Sequence, residues 1–127
     1  MAHLSIIRIA VPSLLAAAAF IFSSGVANAQ PDTWAAIAIS MQTGNYGYTY
    51  DYPTLADAQY GAISQCSAAD CQAVVWVTNG CAAVARAPNA WGWGYASSLT
   101  SAEYEAVSHT PGPGAQVLAW VCTSGHE

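Results

Sequence analysis

Ala58-Gln-Tyr60-Gly-Ala62-Ile-Ser64, followed by Gln72-Ala-Val-Val-Trp76-Val77, is written again further along as Ala102-Glu-Tyr104-Glu-Ala106-Val-Ser108 and Gln116-Val-Leu-Ala-Trp120-Val121. Working outward from these two blocks, Trp34-Ala-Ala-Ile-Ala matches Cys81-Ala-Ala-Val-Ala, and Tyr46-Gly-Tyr48 matches Trp91-Gly-Trp93. Matched positions lie 44–47 residues apart throughout. Repeats of that length build solenoids when there are many of them, but two copies are too few. Two copies that complete one shared core is the better reading, with repeat halves at 34–78 and 81–122.

Each copy spells the same order of elements. A short strand rich in Ala, Ile and Val comes first, Trp34–Ser40 or Cys81–Arg86. Turn chemistry follows, Gln42-Thr43-Gly44-Asn45 or Pro88-Asn89-Ala90, of the kind that joins hairpin strands. An aromatic strand is next, Tyr46–Tyr52 or Trp91–Tyr95. A helix comes after it. Thr54 with Asp57 forms a capping box for the first helix, and Thr100 with Glu103 is expected to do the same for the second. Leu55, Ala58, Ala62, Ile63 and Cys66 fall on one side of the first helix, as a packing face requires. A last strand, Ala73–Val77 or Val117–Val121, closes each copy. The order ββαβ–ββαβ predicts an α+β domain, mostly antiparallel, with helices on one face of the sheet.

The four cysteines, Cys66, Cys71, Cys81 and Cys122, read as disulfides in a small exported chain. A zinc site is the alternative, but Cys81 and Cys122 do not make the second close ligand pair that such sites need. Four cysteines allow three connectivities. The repeat helps choose. Cys66 and Cys71 flank the helix-to-strand loop of the first copy, and their counterparts in the second are Thr110 and Ala115. Cys81 and Cys122 sit on the first and last strands of the second copy, and their counterparts are Trp34 and Thr78. Each pair is present in one copy and absent from the other, which argues for Cys66–Cys71 and Cys81–Cys122.

Export is read from the N-terminus. Arg8 precedes an apolar run, Val11-Pro-Ser-Leu-Leu-Ala-Ala-Ala-Ala-Phe-Ile-Phe22, and Ala27-Asn28-Ala29 supplies an A-x-A cleavage site. The run is shorter than the ~20 residues of a spanning helix. Residues 1–29 are therefore expected to leave as a signal peptide, with 30–127 remaining as one secreted, extracellular or envelope domain and no membrane span after cleavage. The chain has 127 residues, two Lys+Arg against seven Asp+Glu, and a net charge of −5. Both cations are arginines, so Arg86 is the only one past the signal. So acidic a domain repels phosphate backbones, which makes nucleic acid an unfavourable partner. Arg86 is expected to pair with a nearby carboxylate.

Trp34-Ala-Ala-Ile-Ala, Thr43-Gly44, Tyr46-Gly-Tyr48, Asp70 before Cys71, Val74-Val-Trp76, Cys81-Ala-Ala-Val-Ala, Trp91-Gly-Trp-Gly94 and Trp120-Val-Cys122 occur in that order. In this the chain resembles the domain of unknown function 4189 family, small exported proteins of mycobacteria and other bacteria. The resemblance spans essentially all of the chain after the signal. It implies a secreted, disulfide-bonded domain and brings no activity with it.

The candidate binding residues are the rings of the two aromatic strands: Tyr46, Tyr48, Tyr50 and Tyr52, and Trp91, Trp93 and Tyr95. Period-2 alternation predicts one shared face on each strand. Rings of this kind either anchor partners and stack on sugars or fill a core. The core reading comes first here, because Ala-rich helices leave room that rings on the sheet can fill. Catalytic signals are weak. His109 and Glu105 share a helix face but read as a solvated pair, and there is no G-x-S-x-G elbow. Glu103 and Glu105 point to different sides of a helix, and Asp51 faces away from the tyrosines, so no carboxylate pair spans a cleft. No phosphate loop, hard-metal cluster or other cofactor motif is present. The expectation is a non-enzymatic secreted binding module for an unknown partner, a protein in preference to a cell-wall glycan. A carbohydrate-binding domain of the cell envelope, using aromatic stacking, is the first alternative, and a small hydrolase using His109 is the second.

Overall fold

The computed structural model describes residues 32–126; the expected signal peptide lies outside the described residues. Six strands and two helices follow the repeated order: β1 Trp34–Ile39, β2 Tyr46–Tyr52, α1 Leu55–Cys66, β3 Gln72–Thr78, then β4 Cys81–Ala87, β5 Ala90–Ala96, α2 Leu99–Ser108 and β6 Gln116–Cys122. Each copy folds into its own antiparallel three-stranded sheet with the first strand in the middle, β2-β1-β3 and β5-β4-β6. Each sheet carries its helix on one face, as expected of an α+β fold. What the sequence did not reveal is that the two sheets are separate and stack through their other faces, giving four layers: helix, sheet, sheet, helix.

The layering explains why the middle strands are written in small aliphatic residues. A strand covered on both faces has no polar side. Ala35, Ile37 and Ile39 of β1 and Ala82 and Val84 of β4 meet between the sheets, with Val75, Val77, Ala119 and Val121 beside them. The alternate residues face the helices: Ala36 and Ala38 meet Ala58, Ala62 and Cys66 of α1, while Cys81, Ala83 and Ala85 meet Ala102 and Ala106 of α2. Alanine against alanine brings each helix close to its sheet. The aromatic strands keep to the same rule. A Cβ added at Gly47 would lie 2.3 Å from the carbonyl oxygen of Ala62, and one at Gly92 would lie 2.7 Å from that of Ala106. Gly47 and Gly92 must therefore be bare. Thr49, between Gly47 and the helix start, donates its hydroxyl to the Ala58 carbonyl at 2.7 Å, and the neighbouring rings Tyr48, Trp91 and Trp93 point the other way. This corrects the packing expected from the sequence: small helix faces meet small sheet faces, and Tyr48, Trp91 and Trp93 pack against the core between the sheets instead of beneath the helices.

One ring departs from its neighbours. Asp51 has a left-handed backbone, φ 62°, and the β1–β2 register slips between Trp34 and Ala36. This bulge reverses the alternation, a known effect of one extra residue. Tyr52 consequently packs on the α1 side with Trp34, not on the face of Tyr48. The four tyrosines expected on one face are thus three plus one.

The helix starts also differ from each other. Thr54 caps α1 as expected, accepting from the Asp57 N–H at 3.2 Å. In α2 the cap is Ser98, which accepts from the Ser101 N–H at 3.3 Å, and Thr100 already lies inside the helix. Of the expected α1 packing face, Ala58, Ala62 and Cys66 are buried, Leu55 is partly buried and Ile63 is exposed.

Both disulfides form as the repeat argued. Cys66–Cys71 closes the loop between α1 and β3, and Cys81–Cys122 joins directly opposed residues of β4 and β6. No free cysteine is left. Such bridges persist in oxidising surroundings outside the cytosol. Among the described residues, no helix is long and apolar enough to cross a membrane.

Candidate functional site

Stacking the sheets sets β1 across from β4, β2 beside β6, and β3 beside β5. Exchange of the two copies maps each of these contacts onto another or onto itself. The halves are therefore related by an approximate two-fold axis, as in a symmetric dimer whose interface is the same patch used twice. Two seams run along the margins of the sandwich, one between β3 and β5 and the other between β2 and β6. Their aromatic residues correspond: Trp76 and Trp93 at the first seam, Trp120 and Tyr48 at the second.

The β3–β5 seam opens as a groove of about 640 Å³. Its walls include Trp34, Val74, Trp76, Asn79, Trp93 and Tyr95. Trp76 is 39% exposed and Tyr95 is 65% exposed. Trp93 and Trp91 are half-buried against the core between the sheets. Asn79 donates to the Asp32 carboxylate at 3.1 Å, and the Thr78 hydroxyl donates to the Thr33 carbonyl at 2.8 Å, so Asp32 and Thr33 are tied to two residues of the groove's lining.

The β2–β6 seam is filled. After β6 the chain turns through Thr123 and Ser124, with paired bonds between the backbones of Cys122 and Gly125 at 2.8 and 3.0 Å. His126 is thereby brought back over the seam. Its ring stacks on Tyr48 with centroids 4.0 Å apart and on Trp120 at 4.5 Å, and its Nδ1 bonds to the Trp120 carbonyl.

The sequence candidates thus divide. Tyr48 is covered by His126, and Tyr52 is turned to the helix side. Tyr46 and Tyr50 are exposed on β2, away from the open groove. Trp93 and Tyr95 line that groove, whereas Trp91 is covered on one side by the Arg86 guanidinium, 4.7 Å from its ring centroid. That contact is a cation–π pair, and it replaces the carboxylate partner expected for Arg86: the strand register sets Arg86 directly across from Trp91. Trp76 was not among the candidates. The signal for it was the strand Ala73–Val77 itself, since alternation puts Trp76 on the opposite face from Val75 and Val77.

His109 ends α2. Its Nδ1 lies 2.9 Å from the Trp93 carbonyl oxygen and therefore carries the hydrogen of that bond, while Nε2 lies 3.5 Å from a Glu105 oxygen. Both side chains are well exposed. The arrangement pins the helix end to β5. Asp70 is the most heavily bonded carboxylate: the Ser40 hydroxyl donates to it at 2.5 Å and the Gln42 N–H at 3.3 Å. These bonds, Ser40 first, hold its carboxyl below the usual carboxylate range. Ser40 in turn accepts from the Thr43 N–H at 3.1 Å, so the network shapes the β1–β2 turn beside the Cys66–Cys71 loop. No group of three or more His, Cys, Asp or Glu placed to hold a metal occurs among the described residues.

The fold and its margins define a two-repeat α+β sandwich, stapled by two disulfides, with one aromatic seam open and its counterpart closed. Residues 34–122 match the family described as Domain of unknown function (DUF4189), and the chain belongs to that family. It is 33% identical over 91 residues to Protein Rv1269c of Mycobacterium tuberculosis (strain ATCC 25618 / H37Rv) and, at the same identity and length, to Protein Mb1300c of Mycobacterium bovis. Each match covers 72% of this chain and 70% of the relative. No solved structure matches the chain.

Proposed function

We propose that the protein is a non-enzymatic binding module, exported by a signal peptide over residues 1–29, that recognises a protein partner through the open groove between β3 and β5. One observation carries this reading: Trp76 and Tyr95 are exposed around an apolar groove, which sets them apart from Tyr60 and Tyr104, helix-surface rings that do not line it. Keeping such rings exposed gains nothing for folding, whereas Trp and Tyr are the residues that anchor protein contacts at low entropic cost. Release into an oxidising space fits the two disulfides.

The test is selection of a random peptide library on the oxidised domain, with the double variant Trp76→Ala/Tyr95→Ala as the counter-screen. Peptides that bind the native domain and lose at least about tenfold in affinity on the variant, roughly 1.4 kcal/mol, are the expected result. Selection that yields only peptides indifferent to the variant removes the groove from the account. Variant-sensitive retention on insoluble cell-wall polysaccharide, with no peptide selected, would replace the protein partner with a glycan.

A further inference from the structure

The second seam shows what such an aromatic slot holds. In it, the imidazole of His126 stacks on Tyr48 and Trp120. By the repeat, Tyr48 corresponds to Trp93 and Trp120 to Trp76, the two tryptophans of the open groove. The slots differ in the segment that leaves the last strand of each copy. After β6 the chain turns back and delivers His126. After β3 it passes through Asn79, with a left-handed φ of 55°, and Gly80 directly into β4, so the segment that leaves β3 does not return over Trp76.

We infer that the open groove is a receptor for a planar ring, histidine foremost, presented by a basic segment of the partner protein. The ring part rests on the filled slot: the same pair of positions on the other side of the two-fold axis already binds an imidazole by stacking, and indoles offer a larger face than the Tyr48 phenol does. The basic part rests on charge. The Asp32 carboxylate is tied to Asn79 of the groove's lining, no Lys or Arg lines the groove among the described residues, and Arg86 is occupied on Trp91. With a net charge of −5 the chain favours a cationic partner at longer range as well. This inference deepens the proposed binding function and rests on it.

The probes are the blocked tripeptides Lys-His-Lys, Lys-Leu-Lys and Glu-His-Glu, titrated into the oxidised mature domain and followed by NMR at the indole N–H signals of Trp76 and Trp93. Lys-His-Lys should shift both signals, with at least tenfold weaker binding for Lys-Leu-Lys and for Glu-His-Glu. A second variant guards the symmetry argument. His126→Ala vacates the closed slot, so Lys-His-Lys should then bind at two sites instead of one, with Trp120 responding too. Equal binding of the leucine and histidine peptides would overturn the ring preference, and a single site in His126→Ala would overturn the equivalence of the slots. Library peptides that depend on Trp76 and Tyr95 but carry no ring would sink this inference and leave the binding function standing. Absence of any such peptide would sink the recognition of a protein partner itself.

Discussion

Asp70 shows how much one polar side chain organises in a chain with so few charges. It is only partly exposed, beside a disulfide, and receives the Ser40 hydroxyl and the Gln42 N–H. Because these bonds favour the charged form, its carboxyl loses its proton more readily in the folded chain than in the unfolded one. This contribution to stability is therefore complete above the unfolded carboxylate range, about pH 4, and is lost as pH falls through the lower folded value. Asp70→Asn should lower the melting temperature at pH 7, with the gap to the native domain closing in acid below about pH 4. A gap that persists unchanged at pH 2 would show that Asp70 acts through its shape and not its charge. His126 is the other residue whose setting was hidden in the sequence. A histidine in a terminal segment carries no pattern, and only the return of the chain through Gly125 reveals its stacking partners.

At the scale of elements the repeat proved more informative than local motifs. Thr100 with Glu103 spells a capping box, yet α2 starts at Leu99 with Ser98 as its cap. The repeat offset already pointed there: Ala58 and Ala102 are 44 apart, and the same offset carries Thr54 to Ser98. Ser98→Ala should cost about 1 kcal/mol, whereas Thr100→Ala should stay within about 0.5 kcal/mol, both read from urea midpoints. The reverse ranking would restore the box. The offset also locates the β2 bulge. Tyr50 and Tyr95 are 45 apart, whereas Thr54 and Ser98 are 44 apart, so the first copy has one extra residue between them. Structurally that residue is accommodated at Asp51. Strand alternation alone could not show it, since a period of two continues unbroken through Tyr46–Tyr52. The strands and helices were legible because each is specified locally and then specified again in the second copy, and the disulfides because each cysteine pair is present in one copy and absent from the other.

The arrangement of the whole molecule was less legible, for a physical reason. Alternation tells which residues share a face but not what covers it. β1 and β4 are apolar on both faces, which is equally compatible with one six-stranded sheet between layers and with two stacked sheets. Closing the halves face to face gives Ile37, Val84 and Val121 a common interior. It also leaves two aromatic seams where two sheets of three strands end. One is sealed by the chain's own tail, and the other stays open with Trp76 and Tyr95 at its margin.

A binding role for the open seam requires that these two rings be surplus to the fold. Thermal and urea unfolding of oxidised Trp76→Ala/Tyr95→Ala against the native domain tests that claim most directly. A loss of at most about 2 kcal/mol, a shift of roughly 10 °C for a domain this size, is the predicted result. A loss of about 6 kcal/mol or more, the scale of two fully buried rings, would contradict it and place the groove's walls in the core.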